Sequence, residues 1–420
     1  MKRNVLIVGA GGVSHAAAHK CAQHNDILGD ICIASRKQQK CNAIIESIRR
    51  KGNLKNKDGR LYSRQINAMN IKSTIDLIKK TKAEIVINLG QSYINMSVLE
   101  ACIETGAAYI DTGAHDEEGS SATAPPWYAE YEWKRRDICK QKGITAILGA
   151  GFDPGVVNAY CAYAAKHHFD TIDVIDILDV NAGDHGKFFA TNFDPEINLR
   201  EFTRVFAWVN KEWVEEKVHA IKKYYDFPVV GKMPVYMTAH DEISSLPLNI
   251  DANTIRFWMG FSDHYINVFN TITALGMTSV KSVTTAEGLE VVPLKVLKAI
   301  LPEPHSLAPG YTGKTCIGCH VKGKKAKVDK EIFIYNICDH KECFNEVESQ
   351  AISYTGAVPA VASAILIAKE IWNPKAMVNV EELDPDPFLK LLDKIGLPTE
   401  FTYDFREVSM DECPAKIRVA

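Results

Sequence analysis

Through the first third of the chain, apolar residues fall in short unbroken runs: Val5–Val8, Ile31–Ala34, Glu84–Leu89, Ala108–Ile110 and Thr145–Leu148. Runs this short, β-branched and apolar at consecutive positions, are expected of parallel strands buried on both faces. Leu61–Ile66 reads as a further, more polar strand. Between the runs the spacing is helical. Ser14–Cys21 is alanine-rich; Cys41, Ile44, Ile45 and Ile48 share one side of a helix; Ser73–Lys80, Met96–Glu104 and Trp127–Lys142 follow. This alternation predicts βα units on a doubly wound parallel sheet, a Rossmann-type α/β domain over residues 1–150.

Past Gly151 the pattern changes. Thr171–Val180, Thr254–Phe261, Thr315–Val321 and Glu331–Cys338 read as strands with no regular helix between each pair. They predict an α+β domain with a mixed or antiparallel sheet, residues 151–345. Two helices show one apolar face there, through Tyr265, Val268, Phe269, Ile272 and Leu275, and through Val291, Leu294, Leu297 and Leu301. A third, Pro359–Trp372, takes the proline as its first-turn residue. It belongs to a C-terminal helical segment, 346–420, expected to return to the first domain.

Composition narrows the classes. The 420 residues exceed one ordinary core. With 49 basic against 52 acidic residues the net charge is −3, which gives no field favouring nucleic acid. No run approaches the length of a membrane span, and the apolar run after Met1-Lys2-Arg3 is too short for a signal peptide. The expectation is a cytoplasmic protein without nucleic-acid or membrane partners, its 11 cysteines mostly free thiols.

The first strand stops at "GAGGVS", residues 9–14. Gly9, Gly11 and Gly12 permit a tight turn in which backbone N–H groups approach a ligand, with Val13 and Ser14 opening a helix whose N-terminus suits a diphosphate. The pattern is G-x-G-x-x-S, one glycine short of the dinucleotide fingerprint, and Ser14 is small enough for the packing role of the third glycine. A bare βα turn is the alternative. The second strand ends in Ser35, Arg36 and Lys37, with no carboxylate for a ribose hydroxyl. A hydroxyl and two cations suit a 2′-phosphate, so NADP(H) is favoured over NAD(H); otherwise Arg36 and Lys37 are solvated loop charges. Gln91 and Ser92 after the fourth strand, and Thr112 after the fifth, fall where parallel strands end and cofactors bind.

With these motifs, "INLGQSYINMSVLEACIETGAAYIDT" (87–112) and "GAGFDPGVVNAYCAYA" (149–164) make the chain resemble the saccharopine dehydrogenase-like reductases. "NAGDHGKFFATNFDPEINLREF" (181–202), "GKTCIGC" (313–319), "CDH" (338–340) and "SQAISYTGAVPAVASAIL" (349–366) are similar to its carboxynorspermidine and carboxyspermidine dehydrogenase branch. The resemblance implies a homodimer using NADPH. It implies that L-aspartate β-semialdehyde and a diamine, 1,3-diaminopropane or putrescine, condense to an imine that is then reduced. It also implies that the turn holding Asp153, Pro154 and Gly155 closes over the nicotinamide; Asp153 can equally cap the following helix.

For that chemistry the far ammonium of the diamine needs a carboxylate. Asp116, Glu117, Glu118 and Asp184 are candidates, with Asp116 and Asp184 also placed at the reaction itself. His185 is the candidate proton carrier. Arg200, Asn192 and Asn198 suit the carboxylate of the semialdehyde, and Asn181 heads the same block. Each of these residues also has an ordinary structural reading, and Asp116–Glu118 can be a solvated face. His240, Asp241 and Glu242 form a second polar cluster. "CIGCH" (316–320) matches a haem-attachment pattern, and with Cys338, His340 and Cys343 it offers zinc ligand sets. On a strand, however, Cys316 and Cys319 point to opposite faces, and a hairpin of reduced thiols without metal is the expectation. The function classes left open are the reductase above, a saccharopine- or homospermidine-forming relative, and a non-catalytic NADP-binding sensor.

Overall fold

The computed structural model describes residues 2–117, 124–201 and 204–412. β1 (Val5–Val8), β2 (Ile31–Ser35), β3 (Leu61–Gln65), β4 (Ile85–Asn88), β5 (Ala108–Ile110) and β6 (Ala146–Leu148) form a parallel sheet. A seventh strand, Met377–Asn379, comes from near the C-terminus and pairs in parallel with β6. The sheet order, with β1 central between β4 and β2, is that of a doubly wound fold. All four residues of β1 are buried, as the unbroken apolar run requires.

The second sheet has nine strands and is mixed. β7 (Thr171–Asn181) lies at its centre, parallel to Ala252–Met259 and antiparallel to Lys314–Lys325. Alternation along β7 sorts its acids. Asp176 shares a face with Leu178 and Val180, where Arg256 grips it through two hydrogen bonds of 2.7 and 2.8 Å. Asp179 falls on the opposite face, with Ile175 and Ile177, towards the first domain.

One apolar core runs through both domains. It includes Ile7 and Ala17 from the first, Ile177 and Phe257 from the second, and Val361 and Ile365 between them. The last two belong to the helix Ala351–Ala368, which packs along α1 (Gly12–Gln23). That helix is long and apolar enough to cross a membrane, yet 89% of it is buried inside the protein.

Three local expectations need correction. The late helix starts at Ala351, where Gln350 accepts from the N–H of Ile352, so Pro359 lies inside it. Proline there removes one donor and crowds the carbonyl of Thr355, a cost that burial of nearly the whole helix outweighs. Trp127–Lys142 is not one helix. Two 3₁₀ turns precede the α-helix Arg136–Lys142, because the chain bends at Tyr131 and Glu132 turns inward to accept from the N–H of His115 at 2.7 Å. Leu275 is 73% exposed, since its helix ends at Ala274 before the apolar face is complete.

Ile365 is 1% exposed at the junction of the domains. Ile365→Ala is expected to lower the free energy of unfolding by about 2–5 kcal/mol, read from denaturant titration.

Candidate active site

The ends of β1, β2, β4, β5 and β6 open on a cavity of about 1300 Å³ whose far wall comes from the second domain. At its first end Gly9 adopts φ +122°, and a Cβ there would lie 2.5 Å from the carbonyl oxygen of Leu89. Gly11 caps α1 and has no side chain to occupy the first-turn N–H groups. The cradle therefore fits a diphosphate. Ser14 lies behind it and donates from Oγ to Leu89 O at 3.4 Å, tying helix to sheet where the fingerprint has a third glycine.

Ser35, Arg36 and Lys37 line the cavity at the tip of β2, together with Lys40. Arg36 and Lys37 are exposed, and Arg36 Nη2 reaches the Tyr93 hydroxyl at 3.4 Å. Ser35 Oγ braces the turn by accepting from the N–H of Lys37 at 3.2 Å. The positive tip suits a phosphate monoester. Gln91 and Ser92 also line the cavity; Gln91 Nε2 donates to Asp194 Oδ2 at 2.6 Å, joining the two domains. Lys298 donates to Asp194 from the other side at 2.9 Å.

The second end is acidic. Thr112, Asp116, Glu117, Asp153 and Pro154 line it, with Asp179, His240 and Asp241 opposite. Asp153 is not a helix cap; Gly155, at φ +134°, holds that place and donates its N–H to Asn158 Oδ1. Asp153 instead meets Asp179, and burial followed by the charge of Asp179 pushes its pKa upward. Burial also lifts Asp179 to about 6 and Asp241 to about 6. Two carboxyls so placed share a proton, since both cannot ionise at close range. Asp241 Oδ2 accepts from the N–H of Ala114 at 2.7 Å, which pins this loop against the end of β5.

Several expected site residues lie elsewhere. His185 does not line the cavity; its Nδ1 accepts from the N–H of Lys187 at 3.0 Å and its ring stands edge-on to Tyr311. Asp184 is exposed and accepts from the N–H of Gly186. Asn181 is buried, donating to the Tyr311 hydroxyl at 2.7 Å and meeting His340 Nε2 at 2.9 Å. Asn198 is buried and accepts from the Tyr265 hydroxyl. The 181–202 block thus mainly builds the support around Tyr311, which stacks on His340 at 3.6 Å. Of that block's predicted residues Asn192 does reach the cavity, although its Oδ1 accepts from Tyr311. Glu118 and the side chain of Arg200 lie outside the described residues.

Asp179 and Lys298 were not anticipated. Asp179 had a signal, a carboxylate at the end of an otherwise apolar strand face; Lys298 had none, being one of many lysines on an exposed helix. In the "CIGCH" hairpin, Cys316 and Cys319 do face opposite cores. Cys338 and Cys343 Sγ atoms lie 3.2 Å apart, and all ten described cysteines are free thiols.

A glycine-cradled diphosphate site at one end of a two-domain cleft, and a charged substrate end at the other, define a nicotinamide-dependent dehydrogenase. Residues 5–147 match the saccharopine dehydrogenase NADP binding domain, and residues 151–397 match the saccharopine dehydrogenase C-terminal domain. The chain belongs to the saccharopine dehydrogenase family of oxidoreductases, and its cofactor is NADP(H). It is 49% identical over 94% of its length to the carboxynorspermidine synthase of Vibrio cholerae, covering 95% of that protein. It is 43% identical over 94% of its length to the carboxyaminopropylagmatine dehydrogenase of Synechocystis, covering 96% of it. Apo saccharopine dehydrogenase (L-Glu forming) from Saccharomyces cerevisiae shares the fold, with a TM-score of 0.69, 12% identity, and coverage of 97% of this chain and 100% of that one.

Glu132, behind this site, is 0% exposed, and burial followed by the charge of Asp111 lifts its pKa from 4.5 to about 8. The folded protein keeps a proton that the unfolded chain releases, so this contribution to stability fades as pH rises from about 4.5 to about 8. Glu132→Gln is expected to flatten that decline, measured as unfolding midpoint against pH.

Proposed function

We propose that the protein uses NADPH to join L-aspartate β-semialdehyde to a diamine, 1,3-diaminopropane or putrescine, through an imine. The product is carboxynorspermidine or carboxyspermidine. The observation that carries this reading is the single cavity leading from the phosphate cradle and Arg36 to the carboxyls of Asp116, Glu117, Asp153, Asp179 and Asp241. An acidic chamber concentrates a doubly protonated diamine; Lys298, paired with Asp194 and Glu196, and Arg204, paired with Glu215, also line the cavity, where a substrate carboxylate would compete for them. NADPH, when bound, supplies the hydride. The chain's own part is to hold the reacting carbon against the nicotinamide and keep water out, for which the Gly151–Gly155 turn stands beside Thr112. The name of the Vibrio cholerae relative supports this amine class. A second reading, an amine ending in a guanidinium, is favoured by the 43% identity to the Synechocystis enzyme.

The reading includes a cytoplasmic homodimer. Ten buried free thiols support a reducing compartment, and the exposed apolar side chains of Leu275, Leu289 and Ile300 support self-association.

NADPH oxidation is expected with aspartate semialdehyde plus diaminopropane or putrescine, and none with lysine plus 2-aminoadipate semialdehyde. Turnover with agmatine in preference to both diamines selects the second reading; turnover with the lysine pair alone discards both. Arg36→Ala is expected to weaken NADPH about tenfold or more while changing NADH little, measured by calorimetry. Equal losses for the two coenzymes count against a 2′-phosphate beside Arg36.

A further inference from the structure

We infer that His240, oriented by Glu242, is the group that moves protons while the carbon–nitrogen bond forms ahead of reduction; this rests on the proposed function. His240 lines the cavity, half-buried, its ring stacked on Phe257 with centroids 4.5 Å apart at 16°. Its Nδ1 lies 2.7 Å from Oε2 of Glu242, whose side chain is 0% exposed. A buried carboxylate on one ring nitrogen fixes the tautomer and orientation and stabilises the imidazolium, leaving Nε2 as the exchanging atom. Glu242 Oε1 has no hydrogen-bond partner among the described residues.

Among the described residues, the acids that act on the ring come from three elements. Asp241 and Glu242 share its loop, Asp153 comes from the 151–155 turn, and Asp179 from β7. Any of these carboxyls that is ionised favours a positive charge on the ring.

Other histidines are less suited. His115 Nδ1 lies 3.0 Å from the Ser92 carbonyl oxygen, and its ring packs edge-on to Tyr131. His305 lies tilted against His15, ring centroids 4.6 Å apart, beside the cofactor cradle. His185 lies off the cavity.

The step balances around one proton. His240 takes a proton from the attacking ammonium, and the freed lone pair bonds to the aldehyde carbon as the carbonyl π pair moves to oxygen. Proton transfer from nitrogen to oxygen gives a carbinolamine. Protonated His240 then gives its proton to the hydroxyl, which leaves as water while the nitrogen lone pair forms the C=N bond. The iminium carbon is then ready to accept the hydride that NADPH would supply when bound, NADP+ being the oxidised product. His240 ends as it began. Glu242 acts through the ring and is a positioning residue.

The test is a pH series of initial rates with aspartate semialdehyde and the preferred diamine, for wild type, His240→Asn and Glu242→Gln, with NADPH binding measured on each. His240→Asn is expected to lose about 100-fold in kcat, to lack the acid-side fall in kcat/KM, to bind NADPH as wild type does, and to regain rate with added imidazole. Glu242→Gln should lose less and move the acid limb to lower pH, because a neutral partner no longer favours imidazolium. Undiminished rate in His240→Asn, or a loss that leaves the acid limb unchanged, overturns the inference while wild-type turnover upholds the function. Should His240→Asn fail to fold, an unshifted limb in Glu242→Gln overturns it instead. Wild-type protein inert towards every amine–aldehyde pair removes the function and this role together.

Discussion

The architecture depends on the burial of one helix between two domains. Ala351–Ala368 is apolar on every side because it touches α1 and the first sheet on one flank and the second domain on the other. Each of Val358, Val361, Ile365 and Leu366 is at most 2% exposed, and full burial of such a side chain contributes about 1.5–3 kcal/mol. The gain comes only if both domains are in place, so the helix couples their positions. The cleft between them is then a gap between two walls joined through that helix, and hydrogen bonds such as Gln91 to Asp194 add register across it.

Within that frame the polarity of the cleft follows from topology. Parallel strands all end at one edge, where glycine turns and the N-terminus of α1 collect partial positive charge for an anionic cofactor. The facing wall is the end of a mixed sheet, where Asp179 lies two residues before the end of β7 and the strand Gly231–Thr238 runs on into His240 and Asp241. A dianionic phosphate end and an acidic substrate end therefore occupy opposite extremes of one cavity. Burial raises the pKa values of Asp153, Asp179 and Asp241, which limits repulsion among them until a cationic ligand arrives.

The first domain was legible because its signals are local. Consecutive apolar residues mark two-sided strands, and the glycines of residues 9–12 mark the cradle. The final strand, Met377–Asn379, was hidden: three residues carry no periodicity, and only the tertiary fold brings them to β6. Part of the predicted substrate end, within residues 181–202, lies off the cavity for a related reason. "NAGDHG" is rich in chemistry-bearing residues, but Asn181 spends its amide on Tyr311 and His340, and His185 turns to a neighbouring backbone N–H. The charged residues that do face this end of the cavity come from separate stretches, around 116, 153, 179 and 240, whose convergence no spacing rule encodes. Pro359 misled in the opposite direction, since a strong local breaker was overruled by burial on all sides.

The strand Met377–Asn379 also bears on how the chain is made. Until those residues leave the ribosome, β6 is an open edge with unsatisfied backbone groups, and the first-domain face that α1 presents to Ala351–Ala368 stays uncovered. A nascent chain of this protein thus carries a sticky half-built nucleotide fold through more than two hundred residues of further synthesis. How long that edge stays open during translation is set by where one three-residue strand falls in the gene.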